Sequence, residues 1–172
     1  MTFKASLDST AKMITAGVII LFLVLVWISI TSLIQAKGEP LALLIHGGTI
    51  AGVIAILVGS WLFAPQSYVL AENELVINRP VRKVHIPLSN IIQIRKLHDR
   101  EGKWPIRTFG VGGLFGYFGK YYLPSIGHAT FYATQRKNKI LIITNQNKKI
   151  IITPDDSSLE EKISAKLHTS SA

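Results

Sequence analysis

A hydrophobic hairpin over residues 13–63 constrains this chain more than any other feature. Its arms, residues 13–34 and 41–64, contain no Asp, Glu, Lys or Arg, and the polar turn Ala36-Lys37-Gly38-Glu39-Pro40 separates them. Each arm exceeds the ~20 apolar residues that cross a bilayer core of about 30 Å. Runs of this length do not fit a soluble domain in a chain of 172 residues. The pattern predicts a transmembrane helical hairpin over residues 13–64, preceded by a short polar leader (residues 1–12) and followed by one small domain (residues 65–172).

Charge orients the hairpin. Sixteen Lys or Arg against eight Asp or Glu fall in the last domain, and Lys4 and Lys12 flank the first arm. The connecting turn carries one Lys and one Glu. The positive-inside bias therefore places both termini and the domain in the cytoplasm. A cleaved signal peptide competes for the first arm, but that arm is longer than a signal core of about 7–15 residues. Ile34-Gln35-Ala36 is also a poor cleavage site. The chain has no cysteine, which excludes disulfides, thiolate metal sites and a thiol nucleophile.

Ser9 or Thr10 is positioned to cap the first helix, and Pro40 to begin the second. The second arm carries a row of small residues, Gly48, Gly52, Ala55 and Gly59, which lets helix backbones approach closely in lipid. Packing against the first arm is the expected use; dimerisation through the same row is the alternative. His46 lies shallow in this arm and lacks an acidic partner in either arm, so it does not make a proton path.

After Pro65 the pattern changes to short β-branched runs between turn residues. Strands are expected at residues 67–70, 74–78, 83–86 and 91–96, and again at 129–134, 140–144 and 149–152. A helix follows, opened by Thr153-Pro154-Asp155-Asp156, with Leu159, Ile163 and Leu167 forming one apolar stripe. Four strands, a long insertion, three strands and an amphipathic helix predict a mainly-β sandwich or barrel of about seven antiparallel strands, its open end covered by the helix.

This order, with Pro65-Gln66-Ser67-Tyr68, Glu74-Leu75-Val76-Ile77, His85-Ile86-Pro87-Leu88-Ser89-Asn90-Ile91, Tyr132-Ala133-Thr134 and Ile151-Ile152-Thr153-Pro154-Asp155, resembles the bacterial pleckstrin-homology-like (PH-like) domain families. The resemblance covers residues 65–167. It implies a PH-like sandwich hung from a membrane-spanning pair in the bacterial inner membrane, and no particular ligand. Phosphoinositide-binding members carry a basic loop between their first two strands. Here that loop, Ala71-Glu72-Asn73-Glu74, is short and acidic, so the resemblance does not extend to that site.

The insertion, residues 97–128, alternates glycines with aromatics between basic residues. Its glycine spacing fits neither GxGxxG nor GxxxxGK[ST]. Two readings remain for it. One is a loop contacting anionic headgroups through Phe115, Tyr117, Phe118 and Lys120, with Lys103 and Arg107 in electrostatic support. The other is an extra hairpin whose aromatics pack on the sandwich or the helix ends. His85, His98 and His128 lie on separate segments, and no HExxH, HxxEH or paired-carboxylate spacing appears. Ser89 and Ser125 lack a nucleophile elbow. The scattered basic residues point to anionic lipid ahead of nucleic acid. No cofactor or metal is expected.

The sequence thus predicts a membrane-anchored, non-catalytic binding or scaffold module with lipid as its partner. A protein-interaction subunit of a membrane complex is the alternative. A membrane enzyme, the remote alternative, requires His85, His98 and Asp99 to gather in one cleft.

Overall fold

The computed structural model describes residues 1–98, 101–102 and 105–169. Its first helical element, α1 (Ser9–Gln35), begins earlier than the apolar run because Asp8 caps it. The Asp8 carboxylate accepts the Ala11 N–H at 2.7 Å, a role expected of Ser9 or Thr10. α2 (Pro40–Phe63) starts on Pro40, whose missing N–H costs a helix nothing at that position. Lys37 and Gly38, both at positive φ, turn the chain between them. The helices are about 40 and 36 Å long. Their apolar surface stays outside any core: Trp27, Ile34 and Leu44 are each at least 70% exposed. Both are long and apolar enough to cross a membrane, with mean hydropathy of 2.8 and 2.3.

The remaining elements form a β-rich domain. Its strands are β1 (Thr2–Lys4), β2 (Ser67–Leu70), β3 (Glu74–Asn78), β4 (Val84–Pro87), β5 (Ile91–Lys96), β6 (Ile106–Gly113), β7 (Gly116–Leu123), β8 (Gly127–Ala133), β9 (Ile140–Thr144) and β10 (Lys149–Ile152), and α3 (Ser158–Thr169) ends it. One sheet runs β1-β2-β3-β4 and the other β5-β9-β10-β8-β7-β6. Tyr68, Leu75, Ile77, Ile140, Ile142, Ile152, Leu159 and Ile163 fill the space between the sheets and under α3.

Two features depart from the sequence reading, and a third follows one of its alternatives. The leader is not separate from the domain: Phe3 pairs with Tyr68 across β1 and β2 and is buried in the core. Asp155 fixes the same segment by accepting from the Ser6 hydroxyl at 2.6 Å. The insertion forms the extra hairpin offered as one reading of it, β6 and β7, which widens the second sheet to six strands. β8 pairs with β10 in parallel, since the β9–β10 hairpin lies with β10 inward.

The small-residue row of α2 is also placed differently. Val53 is the residue of α2 buried inside the molecule, whereas Gly48, Gly52 and Ala55 are exposed. A Cβ built on Gly48, Gly52 or Gly59 meets nothing within 4 Å. The row lies on another face of the helix from Val53.

Candidate membrane-facing site

Each end of the insertion is set by its strand pairing. β5 and β6 occupy opposite edges of one sheet, so the chain must cross between them, and Leu97, His98, Gly102 and Pro105 line a cleft there with Tyr121 and Phe131. Arg95 grips Glu101 with two hydrogen bonds of 2.7 and 3.0 Å, which holds the Glu101 carboxylate below its ordinary range. Lys139 donates to the Gly102 carbonyl at 2.7 Å and Ser125 to the Glu101 carbonyl at 2.6 Å. Beneath the crossing, Tyr121 stacks on Phe131 with ring centroids 4.3 Å apart. The Tyr121 hydroxyl donates to the Val111 carbonyl, and burial pushes its pKa up to about 12.

β6 and β7 lie close because Gly110 faces Gly119 across the ladder. A Cβ on either would come within 2.3 Å of the opposite carbonyl oxygen, so no larger residue fits. The β6–β7 turn seats on the start of α1. The Thr15 hydroxyl donates to the Gly113 carbonyl at 3.2 Å and accepts the Phe115 N–H at 3.0 Å. Asp8 closes the same joint. Its second carboxylate oxygen accepts the Arg136 N–H at 3.0 Å, and the Tyr117 hydroxyl donates to the first at 3.3 Å. The Arg136 guanidinium donates to that hydroxyl at 2.9 Å and lies over the Tyr117 ring.

This geometry sorts the contact residues named from sequence. Phe118 is buried and Tyr117 is half-buried in the Asp8–Arg136 joint, so both act in packing. Alternation along β7 turns Phe118 inward, and aromatics placed by composition alone do not reveal it. Phe115 is half-buried at the turn, while Arg107 and Lys120 are exposed. Lys103 lies outside the described residues, as does Asp99. Phe109, at 78% exposed, and Ile106, at 59%, were missed. Their signal was their place in the insertion's first strand, which the glycines disguised.

On the inner side, the six-stranded sheet overhangs the four-stranded one. The overhang, the flank of β4 and the last turns of α2 enclose a groove of about 1060 Å³. Ligand clefts usually span ~300–1,000 Å³. Ala55, Ile56, Gly59 and Phe63 of α2 line one side, and Phe118, Thr130, Tyr132 and Ile150 the sheet side. Arg79 stands between them, 5.7 Å from the Phe63 ring and 5.3 Å from the Tyr132 ring.

His85 lines this groove and is 3.1 Å from Glu74, whereas His98 lines a separate cleft of about 770 Å³ beside Tyr117 and Tyr121. The two histidines are not gathered together. Among the described residues there is no group of three His, Cys, Asp or Glu able to hold a metal ion. The β2–β3 turn, where a basic loop would sit, is occupied by the chain itself. Lys166 donates to the carbonyls of Ala71 and Glu72 at 3.1 and 3.0 Å.

A family model described as Bacterial PH domain matches residues 66–167, from β2 through most of α3. The chain belongs to the bacterial PH domain family. No curated protein and no solved structure matches it. The match excludes β1, α1 and α2, yet β1 completes the first sheet of the PH domain from before the helices. The two helices are thus spliced between the first strand and the rest of the sandwich.

Proposed function

We propose that the chain is a membrane-anchored, non-catalytic binding module whose PH domain is held at the cytoplasmic face of the bilayer. In this reading both termini are cytoplasmic and the Lys37-Gly38 turn is outside. The observation that carries it is the seating of the β6–β7 turn on Ile14 and Thr15, where the apolar stretch of α1 begins. In this reading Phe115, with Arg107 and Lys120 on the flanking strands, meets the headgroups. There, aromatics partition favourably and each cation gains about 1 kcal/mol near an anionic leaflet. Phe109 and Ile106 add exposed apolar surface on β6.

The absence of cysteine makes the test direct, because single-cysteine variants report one position each. A membrane-impermeant maleimide should label Lys37→Cys from outside intact cells, and Glu161→Cys, exposed on α3, only after permeabilisation. A nitroxide at Phe109→Cys or Phe115→Cys, in vesicles of phosphatidylglycerol and phosphatidylcholine, should be shielded from an aqueous relaxation agent relative to Glu161→Cys. Reversed labelling or equal water exposure at all three domain positions would overturn the proposal.

A second reading rests on β6, an edge strand of the wide sheet with Ile106 and Phe109 exposed along it. A protein partner adding a strand there would also use the anchored domain as a binding module. Stoichiometric co-purification that is lost on placing Pro at Thr108 favours that reading.

A further inference from the structure

The groove between α2 and the overhanging sheet has the chemistry of an amphiphile site. Arg79, Lys120, Lys148 and Lys149 line it together with His85 and His128, and no Asp or Glu does among the described residues. Some of these cations are already positioned. Arg79 donates through Nε to the Arg82 carbonyl at 3.0 Å, which leaves its terminal nitrogens beside the Phe63 and Tyr132 rings. Lys120 donates to the Thr130 hydroxyl at 2.9 Å, and Lys149 to the Ile126 carbonyl. Neither Arg79, Lys120 nor Lys148 makes an ion pair among the described residues. A set of cations in a partly apolar groove calls for an anion.

The other half of the groove is hydrocarbon. Ala55, Ile56 and Phe63 line it, and at Gly59 a Cβ would meet nothing within 4 Å, so the helix surface there is shallow and open. This is the last stretch of α2 before its apolar sequence ends. In a bilayer it borders acyl chains, while Arg79 stands just beyond Phe63 at the level of lipid phosphates.

We infer that this groove binds one anionic phospholipid of the inner leaflet. Its phosphate meets Arg79, Lys120 and Lys148, and an acyl chain lies on Ala55, Ile56 and Gly59. The inference rests on the membrane placement proposed above and goes further by naming the ligand class and its seat. The seat is distinct from the β2–β3 turn, which Lys166 closes, and shares Lys120 with the surface beside the β6–β7 turn.

The test uses the full chain in detergent, titrated with phosphatidylglycerol or phosphatidylcholine of the same acyl chains and read by native mass spectrometry. One phosphatidylglycerol should be retained, bound about tenfold or more tightly than phosphatidylcholine. The triple variant Arg79→Gln, Lys120→Gln, Lys148→Gln should lose that preference. Gly59→Leu, which has room to fold, should weaken both lipids by blocking the apolar half. Equal retention of the two lipids overturns the inference, as does unchanged binding in Gly59→Leu. Dimerisation of the chain to the exclusion of lipid also overturns it. Full displacement by glycerol 3-phosphate would assign the site to a soluble phosphate and remove the acyl-chain half. Cysteine labelling separates the two failures. Reversed labelling sinks the membrane placement, whereas correct labelling without lipid preference sinks this site alone.

Discussion

The two helices are both long and apolar, and they have opposite relations to the PH domain. α1 enters it through a closed polar joint, in which Asp8, Tyr117 and Arg136 satisfy one another, Thr15 bonds Gly113 and Phe115, and the β6–β7 turn rests on Ile14. α2 leaves it through one backbone bond, the Val81 N–H to the Leu62 carbonyl at 3.1 Å, and the Arg79 contact with Phe63. Hydrophobicity placed both helices outside the sandwich; polar groups at their ends decided which is clamped. The clamped helix serves as the mount, and the loosely attached one keeps an open face.

Alkaline pH should break the sandwich to which both helices attach, and it carries the largest expected effect. Tyr68 on β2 donates to the Tyr132 carbonyl at 2.6 Å and accepts the Thr153 N–H at 3.2 Å, and burial pushes its pKa up to about 12. The folded state therefore keeps its proton where an unfolded tyrosine, near pH 10, has lost it. Stability is intact below pH 10 and is lost as the pH rises toward 12, by about 2–3 kcal/mol for this one group. Tyr121 adds a step of the same sign. Circular dichroism of the detergent-solubilised chain should show this fall. Tyr68→Phe should flatten it while lowering stability at neutral pH; an unchanged alkaline profile would count against it.

Opening the α1 joint comes next. Asp8→Ala removes a helix cap and the acceptor of the Arg136 N–H and the Tyr117 hydroxyl, at a cost of about 2 kcal/mol. The domain's melting temperature should drop by about 10 °C. Asp8→Asn, which still caps, should recover part of it. Thr15→Val deletes a hydroxyl bonded in both directions and should cost about 1 kcal/mol. It should also raise amide exchange at Phe115, the direct sign that the turn has left the helix. Retained protection at Phe115 would mean that Ile14 packing alone holds the joint.

The sequence made the helices, the strand order and the C-terminal stripe legible because each is a local pattern: twenty uncharged residues, β-branched runs, or Leu159/Ile163/Leu167 at helical spacing. The joint was not legible. It brings Asp8 to Arg136 and Thr15 to Gly113 across about a hundred positions, and nothing in either segment announces the other. β1 was hidden for the same reason, since Phe3 reads as part of a polar leader until β2 is beside it. The insertion was half legible. Its glycines signalled close backbone approach, fulfilled at Gly110 and Gly119, but periodicity broken by those glycines concealed which aromatics face inward.

The smallest effect is expected on α2, and it tests the comparison most strictly. Gly52 and Gly59 share the open face, with no atom within 4 Å of a Cβ at either. If α2 were clamped as α1 is, Gly52→Leu would overpack an interface and cost more than about 1 kcal/mol. The open face predicts the reverse: stability in detergent within about 0.5 kcal/mol, with the better helix former offsetting any loss. Gly52→Leu and Gly59→Leu then separate in function. The groove is lined by Gly59 and not by Gly52. Lipid retention should therefore fall for Gly59→Leu and hold for Gly52→Leu at equal stability. If both variants unfold the domain, the small-residue row is a packing surface after all, and the asymmetry between the helices disappears.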